Sequence, residues 1–497
     1  MTVGALIQLE YGNTDRMAFL TLNPQITHFK SVYRKYTNFA TEFITLIPTQ
    51  DSNLSWDKEQ IIEFTIPRDG DAIRDIYLTL ELPDIYSNSQ YQFQWIKRIG
   101  EYIVKEVSLQ LDTNLNLDKH YPEWFHAYSE LNYSEGKKAK YYKMIGNIPE
   151  FYDPANAPGN NGIYPSTTYA PSIINRKLYL PLIFWFNKFS SLSFPLIATQ
   201  KSELKIRFVL RRLKELYTII NPTTGYRIRP NTSNHYIGHF LVPGPSPVVN
   251  PADNLNVTPR LEINNIFLDN EERKRFALAA HDYLITQLQL ISQTYKTNNI
   301  TIDLKNISKP VTQMVFMIRR TDMEDVNEWS NFTNWNREHI PPYSNGYTNT
   351  HGAPLTINST NIKYYKTPNL LKAATLKIQG NEITRGDTLN NDVPTTTRIT
   401  GKDFVFYNLM ENFNANNNLP DEGIYTYSFS LDNTNMQPIG AINMSSLNKK
   451  ELGLILTEIN PIGYYPNSTY NYNVFVFAVN YEILTIMGGI GAVKYAN

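Results

Sequence analysis

Apolar residues recur at every second position in segment after segment of this 497-residue chain. That period of two, rather than 3.6, is the strongest constraint on what it can fold into. Across residues 73–82, Ile76, Leu78, Leu80 and Leu82 share one face, while Tyr77, Thr79 and Glu81 share the other. Across 103–112 the apolar set is Ile103, Val107, Leu109 and Leu111, against Glu106, Ser108 and Gln110. Leu204, Ile206, Phe208 and Leu210 likewise alternate with Lys205, Arg207 and Arg211. Such alternation predicts antiparallel strands with one face in a core and the other in water. Residues 284–291, 311–318, 374–378, 424–431 and 473–486 also read as strands.

Composition points the same way. Charged residues are only 19%, while Tyr reaches 34 and Phe 24, so polarity comes from Asn, Thr, Ser and Tyr more than from ions. Aromatic and β-branched residues favour pleated surfaces and Asn favours turns, which makes the expected class all-β. Helices are predicted to be few and short. One starts at Tyr121-Pro122-Glu123-Trp124-Phe125, where Pro suits the first turn. Another follows Asp269-Asn270-Glu271-Glu272, a capping-box-like start for a helix carrying Arg273, Lys274 and Arg275. Pro243, Pro245, Pro247, Pro251 and Pro259 interrupt the periodicity, placing a join within 215–260. With no repeat visible at 20–50 residues, the expectation is two β-sandwiches or barrels in tandem.

Lys and Arg total 46 and Asp and Glu 46, so no whole-surface field attracts a polyanion, and no direct nucleic-acid contact is expected. The absence of Cys removes disulfides, thiolate nucleophiles and cysteine-ligated metals. The first ten residues lack the basic start of a signal peptide, and no stretch nears ~20 apolar residues, so a soluble product made in the cytosol is expected.

The search for chemistry is mostly negative. Phosphate-loop, nucleophile-elbow and zinc-helix motifs are missing from the sequence. His235 and His239 have the i, i+4 spacing of a metal pair, but lie among Gly and aromatics, where an ordinary loop or strand is expected. His120 and His126 flank the Pro122 helix start, with packing or hydrogen bonding expected. The carboxylates Glu271 and Glu272 are assigned to helix capping, and Asp322, Glu324 and Asp325 to a solvated loop. Met487-Gly488-Gly489-Ile490-Gly491 resembles a phosphate loop, but no helix can follow it, so a bend before a final strand is expected. Asn-x-Ser/Thr triplets at Asn53, Asn132, Asn231, Asn256, Asn299, Asn306, Asn331, Asn358, Asn443 and Asn467 are near chance in so Asn-rich a chain. The expectation is therefore no catalytic, cofactor-binding or metal residues, no cofactor, and no enzymatic activity.

Leu22-Asn23-Pro24-Gln25-Ile26-Thr27-His28-Phe29-Lys30-Ser31-Val32-Tyr33-Arg34-Lys35-Tyr36-Thr37-Asn38-Phe39 resembles the N-terminal signature of major capsid proteins of nucleocytoplasmic large DNA viruses. The resemblance recurs in order. It includes Asp118-Lys119-His120-Tyr121 with Trp124, Lys143-Met144-Ile145-Gly146-Asn147, Leu180-Pro181-Leu182-Ile183-Phe184-Trp185-Phe186 and Phe194-Pro195-Leu196-Ile197-Ala198. In the second half it includes the run from Phe267 to Phe276, Tyr425-Thr426-Tyr427-Ser428-Phe429 with Gln437-Pro438 and Gly440, and Ala478-Val479-Asn480-Tyr481. Ser446-Leu447-Asn448 departs from the Arg and Asp the family often has there, and 215–260 and 330–370 match nothing in it.

The resemblance implies a double jelly roll, two eight-stranded antiparallel sandwiches with short helices in the inter-strand loops. The implied division is an N-terminal arm over 1–25, a first jelly roll over 26–215, a Pro-rich connection over 216–260 and a second jelly roll over 261–497. It further implies a homotrimeric, pseudo-hexagonal capsomer tiling an icosahedral virion shell, synthesised and assembled in host cytoplasm. The arm is expected on the inner side, against neighbouring subunits, minor capsid and penton proteins or an internal viral membrane. Loops including Trp329, Trp335 and Pro341-Pro342-Tyr343 are expected to form an outward tower and intersubunit contacts. Alternatives are a low-copy capsid paralogue of the same fold, a jelly-roll carbohydrate-binding module suggested by the Tyr-, Trp- and Asn-rich loops, and a cupin-like metalloenzyme.

Overall fold

The computed structural model describes residues 2–12, 18–50, 52–87, 91–112, 115–160, 164–165, 170–220, 227–243, 251–333, 370–383, 405–412, 423–457 and 470–494. The chain divides into two units, Met1–Phe39 and Ala40–Asn497. The first carries helices Val3–Gly12 and Ala18–Thr21. Helix Val3–Gly12 buries none of its residues, and Val3, Leu9, Phe19 and Phe29 are exposed.

The second unit is built from strands that alternate as their sequences do. In chain order its first half contributes β1 (Phe39–Leu46), β2 (Gln60–Thr65), β3 (Ala72–Leu82), β4 (Val104–Leu111), β5 (Leu115–His120), β6 (Arg176–Pro181), β7 (Leu204–Leu210) and β8 (Arg260–Leu268). Its second half contributes β9 (His281–Tyr295), β10 (Asn299–Asp303), β11 (Pro310–Arg320), β12 (Leu371–Ile378), β13 (Asn381–Glu382), β14 (Ile424–Ser428), β15 (Lys450–Leu456) and β16 (Tyr472–Met487). The first half makes sheets β1-β8-β3-β6 and β2-β7-β4-β5, and the second makes β9-β16-β11-β14 and β10-β15-β12-β13. Each half therefore joins its first, eighth, third and sixth strands in one sheet and its second, seventh, fourth and fifth in the other. This shared winding is that of a jelly roll, and the chain is a double jelly roll. Its repeat unit is a whole sandwich, far longer than the 20–50 residues over which the sequence shows none.

The core explains most of the strand pattern. In β7 buried and half-buried positions alternate without a break. In β3, Ile76, Leu78, Leu80 and Leu82 are buried as expected, and Thr79 on the opposite face is buried as well. Ile103 lies outside β4, at the C-cap of the short helix Ile99–Tyr102, and the pairing of β4 shifts register between Val104 and Glu106. Arg211, expected on a wet face, lies past the end of β7 and is buried. The strand expected over 424–431 ends at Ser428.

Helix Pro122–Asn132 starts as predicted, with Tyr121 at its N-cap and Pro122 in its first turn. Helix Glu135–Met144 was not legible from periodicity. Helix Asn270–Leu278 follows Asp269, but Asp269 makes no side-chain cap bond, so the expected capping box does not form. Arg273 reaches from this helix to Asp71 at 2.9 Å instead. The Pro-rich region holds ordered elements: Tyr217–Ile220 pairs with Gln92–Trp95, Asn254–Asn256 pairs with Asn53–Ser55, and β8 beyond it completes the first sandwich.

Candidate functional site

In sheet β9-β16-β11-β14 the central strands, β11 and the 474–480 part of β16, are buried on both faces, and this seam is the principal feature that the fold creates. On one side Met314, Phe316, Ile318, Val474, Val476 and Tyr425 enter the core of the second sandwich. On the other, Val315, Met317, Phe475, Phe477, Val479 and Ile424 enter the core of the first. Strand β11 has every residue after Pro310 buried. The Trp124 and Phe477 rings meet across the seam, 5.6 Å apart. Gln287 Nε2 donates to Leu117 O at 2.6 Å, and the Leu288 amide donates to Asp118 Oδ1 at 3.0 Å.

Charges inside the seam are paired. Arg319 donates to Glu123 at 3.0 Å and to Glu324 at 2.9 Å, and its guanidinium lies 4.9 Å from the Phe475 ring centroid. Arg211 packs 4.3 Å from the Trp329 ring centroid; burial lowers its pKa, while Glu123 at 3.9 Å opposes that. Burial pushes against Arg319 too, but Glu123 and Glu324 overcome it and hold the group above the ordinary arginine value. A second buried network lies within the first sandwich. Arg98, with a left-handed φ of 55°, donates to Glu101 at 2.7 Å and Glu130 at 2.9 Å. Tyr141 donates to Glu101 and Lys138 pairs with Glu130. Each buried charge of these two networks thus faces an opposite one, as desolvation requires.

Two expectations are corrected here. Asp322, Glu324 and Asp325 do not form a loop but lie in the 3-10 helix Thr321–Val326, where Asp322 is buried against Arg320, Glu324 serves Arg319 and Asn473, and Asp325 alone is exposed as expected. The arginine pair ending β11 needs those carboxylates. Trp329 is not on an outward tower. It is buried, donating through Nε1 to Glu215 O at 2.9 Å, while its own carbonyl accepts from Arg319. Trp335, Pro341, Pro342 and Tyr343 lie outside the described residues, as do Asn358 and Asn467.

The remaining candidates fall into structural roles. His235 and His239 occupy separate 3-10 segments, Ser233–His235 and Ile237–Phe240, rather than one helical face. His235 Nδ1 accepts from the Asn231 amide, and burial together with His239 lowers its pKa. His120 stacks on Phe184 at 4.7 Å and contacts Asp118 at 3.0 Å, and His126 meets Tyr102 and Phe332. Glu271 pairs with Lys274 on an exposed helix face. Gly488 and Gly489, at φ 61° and 88°, make the two-residue turn from β16 into the last strand, Ile490–Val493. Asn331 is buried, whereas Asn231 is exposed.

Among the described residues, no group of His, Asp and Glu converges to hold a metal ion, and no helix is long and apolar enough to cross a membrane. A cavity of about 490 Å³ is lined by Trp56, Arg212, Lys214 and Arg229. Its cations already face carboxylates: Arg212 lies 3.8 Å from Glu59, Arg229 3.3 Å from Glu215, and Lys214 pairs with Asp57. Sequence reading missed Arg98, Arg319, Arg211 and Lys188, each of which has at least one partner distant in the chain. The local signals were the Arg319-Arg320 pair with Asp322 and Glu324 close behind, and Arg98 with Glu101 three residues on.

Comparisons with known proteins agree with this architecture. The family described as major capsid protein N-terminus matches residues 27–237, and that described as large eukaryotic DNA virus major capsid protein matches 272–492. The major capsid protein of Phaeocystis pouchetii virus is 25% identical over 99% of this chain and 100% of its own length. That of Paramecium bursaria Chlorella virus 1 is 26% identical over the same shares. Capsid protein 1 of Acanthamoeba polyphaga mimivirus is 31% identical, over 64% of this chain and 49% of its own. In structure, a chain of the PBCV-1 virus capsid superposes with a TM-score of 0.64 at 23% identity, covering 95% of this chain and 100% of that one. The Faustovirus major capsid protein gives 0.62 at 13% identity, covering 97% and 96%. The two family matches together take in both jelly rolls, and the chain belongs to the major capsid proteins of large eukaryotic DNA viruses.

Proposed function

We propose that this chain is the repeating shell subunit of a large double-stranded DNA virus, acting as a homotrimer of pseudo-hexagonal outline and without enzymatic activity. The carrying observation is the pair of central strands, β11 and β16, buried on both faces where the two rolls meet. Two sandwiches that share a core behave as one block, so a trimer presents six sandwiches at fixed spacing, and six roughly equivalent sides suit a hexagonal lattice. A balanced charge lets many copies pack without long-range repulsion, leaving lattice contacts to local complementarity.

In this reading the change from first to second jelly roll follows β8, and the 216–260 stretch serves the first roll. The N-terminal segment, with Val3 73% and Phe29 99% exposed, supplies apolar surface for a neighbouring subunit, a minor capsid or penton protein or an internal membrane. Assembly takes place in host cytoplasm and the product resides in the virion.

Mass photometry of the purified chain tests the proposal. The expected species is a trimer of about 172 kDa, three times the 57.4 kDa chain, with a hexagonal outline in negative stain. A chain that stays monomeric across assembly conditions contradicts it. Removal of residues 1–25 is expected to leave the trimer intact and to impair particle assembly; normal particles would exclude the structural-arm role.

A further inference from the structure

A second cavity, of about 190 Å³, opens between the two jelly rolls. Trp124, Tyr128, Trp185 and Lys188 line it from the first roll, and Gln313 and Asn433 from the second. Three of its polar groups have unmet capacity. Gln313 is 5% exposed, yet its Oε1 has no hydrogen-bond partner, and the buried Asn433 Oδ1 has none either. Lys188 Nζ donates to Thr286 Oγ1 at 3.2 Å and lies 5.2 Å from the Tyr128 ring centroid. No carboxylate of the described residues lies within ion-pair distance of it. Burial pushes its pKa down to about 8, against a weak opposing influence from Asp118. Arg98, Arg319 and Lys138 are buried with carboxylate partners, and the buried Lys450 ammonium donates to two backbone carbonyls, whereas the Lys188 ammonium has one hydroxyl.

These features specify an occupant. Unpartnered buried amide oxygens require O–H or N–H donors. An unneutralised ammonium favours a negative charge. Aromatic walls favour a ligand with an apolar face. The volume corresponds to about six waters at ~30 Å³ each, room for one six-membered ring. Water would satisfy the oxygens but leave the charge; a simple anion would meet the charge but not the oxygens or the aromatic rings.

We propose that this inter-roll cavity is a binding site for an acidic monosaccharide of hexuronate type. Its carboxylate pairs with Lys188, its ring hydroxyls donate to Gln313 and Asn433, and its C–H face lies against the aromatic side chains. The ligand touches both rolls and acts as a small clamp at the seam.

Calorimetric titration of the full-length protein with D-glucuronate, D-glucose and acetate tests this. Glucuronate is expected to bind saturably at one per chain and about tenfold or more tightly than either control. K188M is expected to abolish its advantage over glucose. Should K188M fail to fold, Q313L, which keeps the charge, is expected to weaken glucuronate about fivefold or more. Absence of saturable glucuronate binding, acetate binding as tightly as glucuronate, or an unchanged affinity in a folded variant would each overturn the proposal.

Discussion

Strands β7 and β11 are both interior strands of antiparallel sheets, yet they bury different amounts of themselves. In β7 the even-numbered residues Leu204 to Leu210 enter the core while Lys205, Arg207 and Val209 stay half-buried. In β11 both faces are covered, one by the second sandwich's own core and one by the first sandwich. The difference separates a strand that closes a domain from one that joins two. A sheet with one wet face can slide or twist against solvent at little cost, whereas a sheet packed on both sides is constrained by two cores at once.

The largest effect that would break this comparison is at the end of β11. Arg319→Ala leaves Glu123 and Glu324 without their shared cation, and is expected to destabilise the chain by about 3–5 kcal/mol in urea unfolding. Within β11, neighbouring residues point into different cores. Phe316→Ala is expected to cost about 3–5 kcal/mol and Met317→Ala about 2–5 kcal/mol, both measurable by the same titration. If either adjacent substitution were silent, one face of β11 would not be packed as described. The smallest effect is expected in β7, where Arg207→Ala should stay within about 0.5 kcal/mol of the parent chain. A loss there comparable to that at Met317 would erase the distinction between the strands.

The sequence carried part of this contrast. Period-two alternation reads out the faces of β3 and β7 because one side of each strand is more polar. It also finds β11, whose consecutive apolar residues Met314-Val315-Phe316-Met317-Ile318 show the pattern of a strand covered on both sides. What alternation cannot supply is the partner. β1 and β8 lie side by side although most of the first sandwich separates them in sequence. The residue family resemblance supplied the double jelly roll that local pattern left open between sandwich and barrel. Asp322 and Glu324 look solvated in isolation, because their partners Arg320 and Arg319 act only once β11 is placed. Trp329 resembles a loop aromatic until Arg211 and Arg319 close around it. His235 and His239 share a helical face only if the helix continues, and Tyr236 instead takes an extended conformation between two short 3-10 turns. Lys188 and Gln313 come from different halves, so neither the cavity nor its unmet polar groups can be read from nearby residues.

The central claim is that the doubly buried strands β11 and β16 make the two sandwiches one cooperative body. Native-state hydrogen exchange of the full chain, followed as low denaturant concentrations rise, tests it most directly. The amides of β7 and β11 are expected to exchange through one shared global opening, with matching free energies and matching denaturant dependence. Exchange of β7 through a separate, lower-energy opening while β11 stays protected would contradict the claim and mark two sandwiches that are merely tethered.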